Sequence, residues 1–199
     1  MLHLYLITDR HATRGRELVS VISECLDAGV RMVQAREKDL PHAELLALCG
    51  RLRELTRRAD ARLFINSDVD VAREVGADGI HLPHNLVILP EDAPGLSIGV
   101  SVHRLGEAIE AERDGAEFVV FGPIYDTPSK RAFGPPQGLG PLATVARSVR
   151  IPVLAIGGIT PERVPEVRSA GAGGVAVISA ILSADSPADA TKRFLEELA

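Results

Sequence analysis

Several short segments of this 199-residue sequence set cations, amides and hydroxyls just beyond apolar runs. In Val33-Gln34-Ala35-Arg36-Glu37-Lys38, an extended backbone points Gln34, Arg36 and Lys38 to one side and Ala35 and Glu37 to the other. Two cations and an amide aimed into one space are costly without an anionic partner, which suggests a phosphate or pyrophosphate clamp. The competing reading pairs Arg36 and Lys38 with Glu37 and Asp39 as solvated loop residues, and the spacing leaves both open. Further on, Asn66 stands at the end of another apolar run, where Ser67 or Asp68 would cap a helix and Asn66 is left to face a ligand.

His81 and His84 have metal-like H-x-x-H spacing, but Pro83 breaks the helix that would align two imidazoles. No third ligand is evident nearby, so they read as surface or supporting histidines and no metal site is expected. Ser101 offers a hydroxyl after Gly99-Val100, although Ser101 or His103 could equally cap the helix that begins near Arg104. The segment 122–141 is long and rich in Gly and Pro, and it contains Thr127 and Lys130, which suits a loop closing over an anion. Finally, Gly157-Gly158 and Ser179 offer bare backbone N–H groups at two successive turns, the arrangement of a phosphate cup.

Such groups converge only if the elements before them are parallel and neighbouring. One pattern recurs: a helical stretch ends in Gly29, Gly76, Gly115 or Gly171 and a short, almost wholly apolar run follows. Gly at a helix C-terminus takes the left-handed conformation without a Cβ clash, and continuous apolar runs suit strands covered on both faces. The pattern predicts strands near 2–7, 30–35, 62–65, 78–82, 97–100, 117–121, 152–155 and 174–178. Helices are expected over 15–28, 41–58, 69–75, 104–114, 140–148, 161–170 and 187–198, with a weak or missing one around 88–93. Eight strands alternating with about eight helices indicate a single (β/α)8 TIM barrel over 1–199, with an open doubly wound sheet as the competing topology. The absence of G-x-G-x-x-G after the first strand favours the barrel.

Composition sets the remaining bounds. With 22 Lys+Arg against 27 Asp+Glu the net charge is −5, and no basic run suggests a nucleic-acid partner. No apolar stretch reaches the length of a membrane span, and the N-terminus lacks the order of charges and apolar residues found in a signal peptide. Two cysteines without C-x-x-C spacing fit a reducing, cytoplasmic setting. The expected partner is a phosphorylated small molecule, and the sequence leaves open whether the chain forms an oligomer.

The same segments, in order, resemble the thiamine phosphate synthase and TenI family. They include Tyr5-Leu-Ile-Thr-Asp9, Val33 to Lys38, Ile65-Asn66, Gly76 to Leu82 and Ile98-Gly-Val-Ser101, followed by Phe121 to Lys130, Ala155 to Ile159 and Ala176 to Ser179. The resemblance implies a (β/α)8 barrel of thiamine biosynthesis. In it Gln34, Arg36, Lys38, Asn66 and Lys130 would hold a pyrophosphate and a pyrimidine, Ser101 and Thr127 would line the same pocket, and Gly158 and Ser179 would hold a thiazole phosphate. Arg36, Lys38 and Lys130 are the implied catalytic residues. Two departures qualify it. Where the synthase pattern has magnesium-binding carboxylates, this chain has Ser67 and Leu86; where the TenI branch has its histidine base, it has Pro123. The resulting expectation is a metal-independent, TenI-like thiazole tautomerase or a diverged relative of it, without cofactor. The alternatives are a magnesium-dependent synthase and a non-catalytic barrel that binds a phosphorylated ligand.

Overall fold

In the computed structural model, which describes residues 4–86, 88, 90–127 and 135–199, each predicted apolar run is a parallel strand. The strands are β1 (Leu4–Ile7), β2 (Met32–Ala35), β3 (Arg62–Asn66), β4 (Gly79–Pro83), β5 (Ser97–Val102), β6 (Phe118–Phe121), β7 (Val153–Ile156) and β8 (Gly174–Val177). They form one closed barrel in sequence order. Closure is made where Leu4, Tyr5 and Leu6 pair with Val175, Ala176 and Val177, which excludes the open sheet. Lys130 lies outside the described residues.

The outer layer contains α1 (Leu18–Asp27), α2 (His42–Arg58), α3 (Val69–Glu74), α4 (Leu105–Arg113), α5 (Leu139–Ser148), α6 (Val164–Ser169), α7 (Ser179–Leu182) and α8 (Pro187–Leu198). Side-chain oxygens of Glu17, Asp68 and Ser186 accept from backbone N–H groups at the starts of α1, α3 and α8. Gly29, Gly76, Gly115 and Gly171 all take positive φ at helix ends, as the recurring pattern requires. Between β4 and β5 the described residues form a 3-10 turn over Pro90–Asp92 and no α-helix. Pro90 and Pro94 fall within this stretch, and two residues without N–H donors leave little for an α-helix to propagate through.

Two apolar clusters result from the alternation of side chains along the strands. The larger joins the outward strand faces to the helices; the smaller fills the barrel with Tyr5, Ile7, Met32, Phe64, Phe118, Val120, Leu154 and Ala176. Tyr5, Phe64 and Phe118 meet edge to face, with ring centroids 5.3–5.7 Å apart. Two glycines on neighbouring strands make room for these rings. A Cβ at Gly79 would lie 2.3 Å from Phe64, and one at Gly99 would lie 2.3 Å from Phe118. The aromatic layer thus closes the barrel interior and leaves its C-terminal end as the mouth.

Candidate active site

Two residues beyond the aromatic layer, the interior positions of β2 to β5 become polar. Met32 is followed by Gln34, Phe64 by Asn66, Gly79 by His81 and Gly99 by Ser101. Gln34 and His81 are buried, whereas Asn66 and Ser101 are half-buried at the mouth. The Gln34 amide donates to the Tyr5 hydroxyl at 2.9 Å. That hydroxyl lies 3.4 Å from His81 Nδ1, and His81 Nε2 lies 2.8 Å from Ser101 Oγ. Burial, with a smaller contribution from the Arg36 charge, pulls the His81 imidazolium down to about 3, so the ring is neutral at physiological pH. His81 is therefore not a surface histidine. It is part of the site, and the H-x-x-H spacing splits: His84 is exposed, 3.6 Å from Glu107.

At the end of β2 the two alternatives for Arg36 and Lys38 separate. Glu37 is buried, and both its oxygens accept from the Arg10 backbone N–H, at 3.2 and 3.1 Å. The Arg10 guanidinium adds a 3.3 Å contact to Glu37 and a bidentate pair with Asp39 at 2.5 and 2.8 Å. His11 also reaches Asp39, at 3.0 Å. The loop carboxylates are thus committed to Arg10 and His11, and no ion pair among the described residues involves Arg36 or Lys38. Thr8, fully buried, accepts the Arg36 backbone N–H at 2.9 Å and fixes where the strand ends. The Arg36 guanidinium holds the Lys38 ammonium below its ordinary range, as two neighbouring cations without an anion must.

At the ends of β3 and β4 the two positions of the family's carboxylates hold Ser67 and Leu86, and the aspartates nearby are Asp68 and the exposed Asp70. Ser67 takes φ 61°, and Asn66 Nδ2 donates to its hydroxyl at 3.3 Å. Asp68 accepts from Val71 N–H at 2.9 Å as the α3 cap and lies 3.4 Å from His42. These residues and Lys38 line a cleft of about 660 Å³ beside the mouth. Leu86 is 39% exposed and apolar. Among the described residues no three His, Cys, Asp or Glu side chains gather as metal ligands. Magnesium needs oxygen donors, commonly one or two carboxylates besides substrate phosphates. A hydroxyl and a leucine at the two positions, with Asp68 held as the α3 cap and Asp70 on the exposed first turn of α3, do not fit it.

The opposite side of the mouth is built from backbone. Gly157 and Gly158 have φ 101° and 65°, and no hydrogen bond among the described residues uses their N–H groups. The turn after β6 lies directly on them: Ile124 and Tyr125 N–H donate to Ile156 and Gly157 carbonyls at 2.8 and 3.0 Å. A Cβ at Gly157 would lie 2.6 Å from Pro123, and one at Gly158 would lie 2.8 Å from the Asp126 carbonyl. The glycine pair is therefore required by packing as well as suited to an anion. Arg163 donates to the Gly158 carbonyl at 2.5 Å and stacks 4.3 Å over the Tyr125 ring. Ser179 is exposed at the start of α7, and Arg16 anchors that helix's other end through the Leu182 and Ala184 carbonyls at 2.7 and 2.9 Å. Thr127, half-buried, ends the described part of the β6 loop.

Sequence reasoning missed Tyr5, Thr8 and Arg10. The available signal was a tyrosine within an otherwise apolar strand, because a buried phenol needs a hydrogen-bond partner. Ser101 does not cap α4 either, since Glu107 reaches back to the His103 N–H at 2.6 Å.

A closed parallel barrel whose free cations, amides and hydroxyls collect at the C-terminal mouth belongs to the (β/α)8 class that handles small anionic ligands there. Within that class, the family model described as thiamine monophosphate synthase matches residues 4–181, and the chain belongs to this family, which places it in thiamine biosynthesis. A Geobacter sulfurreducens protein named putative thiamine-phosphate synthase is 47% identical over 196 residues, spanning 96% of this chain and 92% of its own. The Roseiflexus castenholzii thiamine-phosphate synthase is 43% identical over 195 residues, spanning 95% and 85%. The solved thiamine phosphate pyrophosphorylase of Pyrococcus furiosus superposes with a TM-score of 0.90 at 38% identity, over 99% of this chain and 95% of that one. None of these relatives is named a tautomerase. No helix among the described residues is long and apolar enough to cross a membrane.

Proposed function

We propose that the chain couples a hydroxymethylpyrimidine pyrophosphate to a thiazole phosphate, with Arg36 and Lys38 holding the departing pyrophosphate. The observation that carries this reading is the pair of cations at the β2 end whose neighbouring carboxylates are committed to Arg10 and His11. One phosphate monoester in the opposite cup leaves these two charges unmet; a second, polyanionic group meets them. The names of the similar proteins point the same way.

In the coupling, the bond from the pyrimidine methylene to the pyrophosphate oxygen breaks, and both electrons leave with the oxygen. The thiazole nitrogen lone pair then forms the new C–N bond and leaves a thiazolium. No proton changes place, so no general base is needed. Tautomerisation, by contrast, needs a base within hydrogen-bond reach of a ring carbon. Pro123 offers none, and a His81 imidazole held near 3 is a poor one. Gln34 and Asn66 would orient the pyrimidine, Lys130 would meet the pyrophosphate, Ser101 and Thr127 would line the pocket that holds both, and Gly158 and Ser179 would hold the thiazole phosphate. Because the residues do not fit magnesium, the charge on the leaving group falls to the guanidinium and ammonium.

A second reading, the metal-independent tautomerase, is favoured by one observation: Ser67 and Leu86 occupy both positions where the synthase pattern has carboxylates. The deciding experiment offers purified protein both coupling substrates, in magnesium or in EDTA, and separately the thiazole tautomer. Thiamine phosphate formed in EDTA supports the proposed reading. Tautomer turnover without coupling moves the chain to the second, and coupling only with magnesium overturns the assignment of the leaving-group charge to Arg36 and Lys38.

A further inference from the structure

The interior polar side chains form one line of hydrogen bonds, and following protons along it determines what the mouth is offered. The Gln34 amide nitrogen is a donor only, and it reaches the Tyr5 oxygen at 2.9 Å. Tyr5 is fully buried, and the other polar atom at its hydroxyl is His81 Nδ1 at 3.4 Å. Burial pushes the phenol well above its ordinary range, so the proton stays on oxygen and has Nδ1 as its acceptor. A neutral imidazole that accepts at Nδ1 carries its own proton on Nε2. Nε2 lies 2.8 Å from Ser101 Oγ, so the ring donates into a serine lone pair. The Ser101 proton is then turned away from the ring, at a half-buried position on the mouth.

We infer that Tyr5 and His81 are positioning residues that fix the Ser101 hydroxyl as a hydrogen-bond donor toward an anion bound at the mouth. This rests on the reading above that Ser101 lines the ligand pocket. The opposite tautomer would draw the serine proton into the ring and present oxygen lone pairs to a negatively charged group. A single phenol on β1, across the barrel from Ser101 on β5, thereby sets the sign of the dipole that the ligand meets. The Tyr5–Phe118 and Tyr5–Phe64 ring contacts give the aromatic ring a packing role, but they place no demand on its oxygen.

Two measurements on the full chain test this, one of them without ligand. Long-range 1H–15N correlation at neutral pH, with the His81 signals identified by their loss in His81→Gln, is expected to show a neutral Nε2–H ring. An Nδ1–H ring in the unaltered protein overturns the inference. Calorimetry with inorganic pyrophosphate as the probe is expected to show Tyr5→Phe and Ser101→Ala each weakening binding about fivefold to tenfold. His81→Gln, whose amide nitrogen can donate from the Nε2 position, should stay within about threefold of the unaltered protein, while His81→Leu should match Ser101→Ala. If Ser101→Ala weakens pyrophosphate and Tyr5→Phe does not, the positioning role fails while the site reading stands. If Ser101→Ala binds as the unaltered protein does, the site reading itself fails. Should Tyr5→Phe not fold, the tautomer of the unaltered protein decides the matter alone.

Discussion

The two sides of the barrel mouth are made of different material. From β2 to β5, the interior positions beyond the aromatic layer are Gln34, Asn66, His81 and Ser101, with Arg36 and Lys38 beyond them. From β6 to β8, the corresponding positions are Val120, buried in the apolar interior, and Ile156 and Ile178, half-buried against it, and the chain then offers glycine N–H groups and small residues. One side presents side chains that can be exchanged without moving the backbone. The other presents a backbone whose path is set by packing against the β6 turn. The same substitution strategy should therefore read out as affinity on one side and as stability on the other.

The largest effect is expected on the side-chain half. Arg36→Gln removes a guanidinium fork that the Lys38 ammonium cannot reproduce, and charge-assisted hydrogen bonds to an oxyanion imply a loss of roughly a hundredfold in pyrophosphate affinity. Lys38→Gln should cost about tenfold, because its single ammonium lacks the guanidinium's fork. Calorimetry with pyrophosphate and, separately, with thiazole phosphate checks both. Thiazole phosphate affinity unchanged by either substitution sharpens the comparison; equal loss of both ligands collapses the two sides into one site.

On the backbone half, Gly158→Ala introduces a Cβ 2.8 Å from the Asp126 carbonyl, at φ 65°. Strain in the left-handed region together with displacement of the β6 turn should destabilise the fold by about 2 kcal/mol. For a chain of this size that corresponds to a melting temperature lower by roughly 4–8 °C. A thermal melt measures it. An unchanged melting temperature, with thiazole phosphate binding lost, would mean that this side too acts through local recognition rather than packing.

These halves were not equally legible in the sequence. Strand and helix order, and the C-terminal location of Gln34, Arg36, Asn66 and Ser101, followed from apolar runs that come after glycine-ended helices, the pattern of parallel strands buried on both faces. The partners of those side chains did not follow. Whether Glu37 neutralises Arg36 depends on Arg10, 27 residues earlier, and nothing in local spacing reveals that contact. The same holds for His81, whose H-x-x-H spacing left surface and supporting roles open until the barrel register turned its ring toward Tyr5. Gly157 and Gly158 were legible as a turn, but the pressure of Pro123 and Tyr125 on them is a tertiary fact.

The buried imidazole gives the side-chain half a stability signature of its own. The folded His81 pKa, about 3, lies below an ordinary histidine's 6.5 or so. Between those values the unfolded chain binds a proton that the folded chain refuses, so stability rises with pH across the window and is lost as pH falls through it. At pH 5 the loss relative to neutral pH should be about 2 kcal/mol. Denaturant unfolding of the unaltered protein and of His81→Gln at pH 7 and pH 5 separates this contribution from the carboxylates. A pH dependence that survives His81→Gln would assign it elsewhere.

The smallest effect tests why the cations are free at all. Arg10 engages Glu37 through its backbone N–H and its guanidinium, and it engages Asp39 through the guanidinium alone. Arg10→Ala keeps the backbone contacts to Glu37 but leaves Asp39 with His11 alone of its two side-chain partners, and the exposed carboxylate can swing toward Lys38. An internal carboxylate then competes with the ligand. Because the new pair is exposed and screened, the competition should weaken pyrophosphate by only about threefold at low salt, and by less as salt rises. The double variant Arg10→Ala, Asp39→Asn removes the competitor and should restore affinity. Restoration would show that the side-chain half depends on keeping its carboxylates occupied elsewhere. Loss that persists in the double variant would mean that Arg10 acts by holding the shape of the β2 loop.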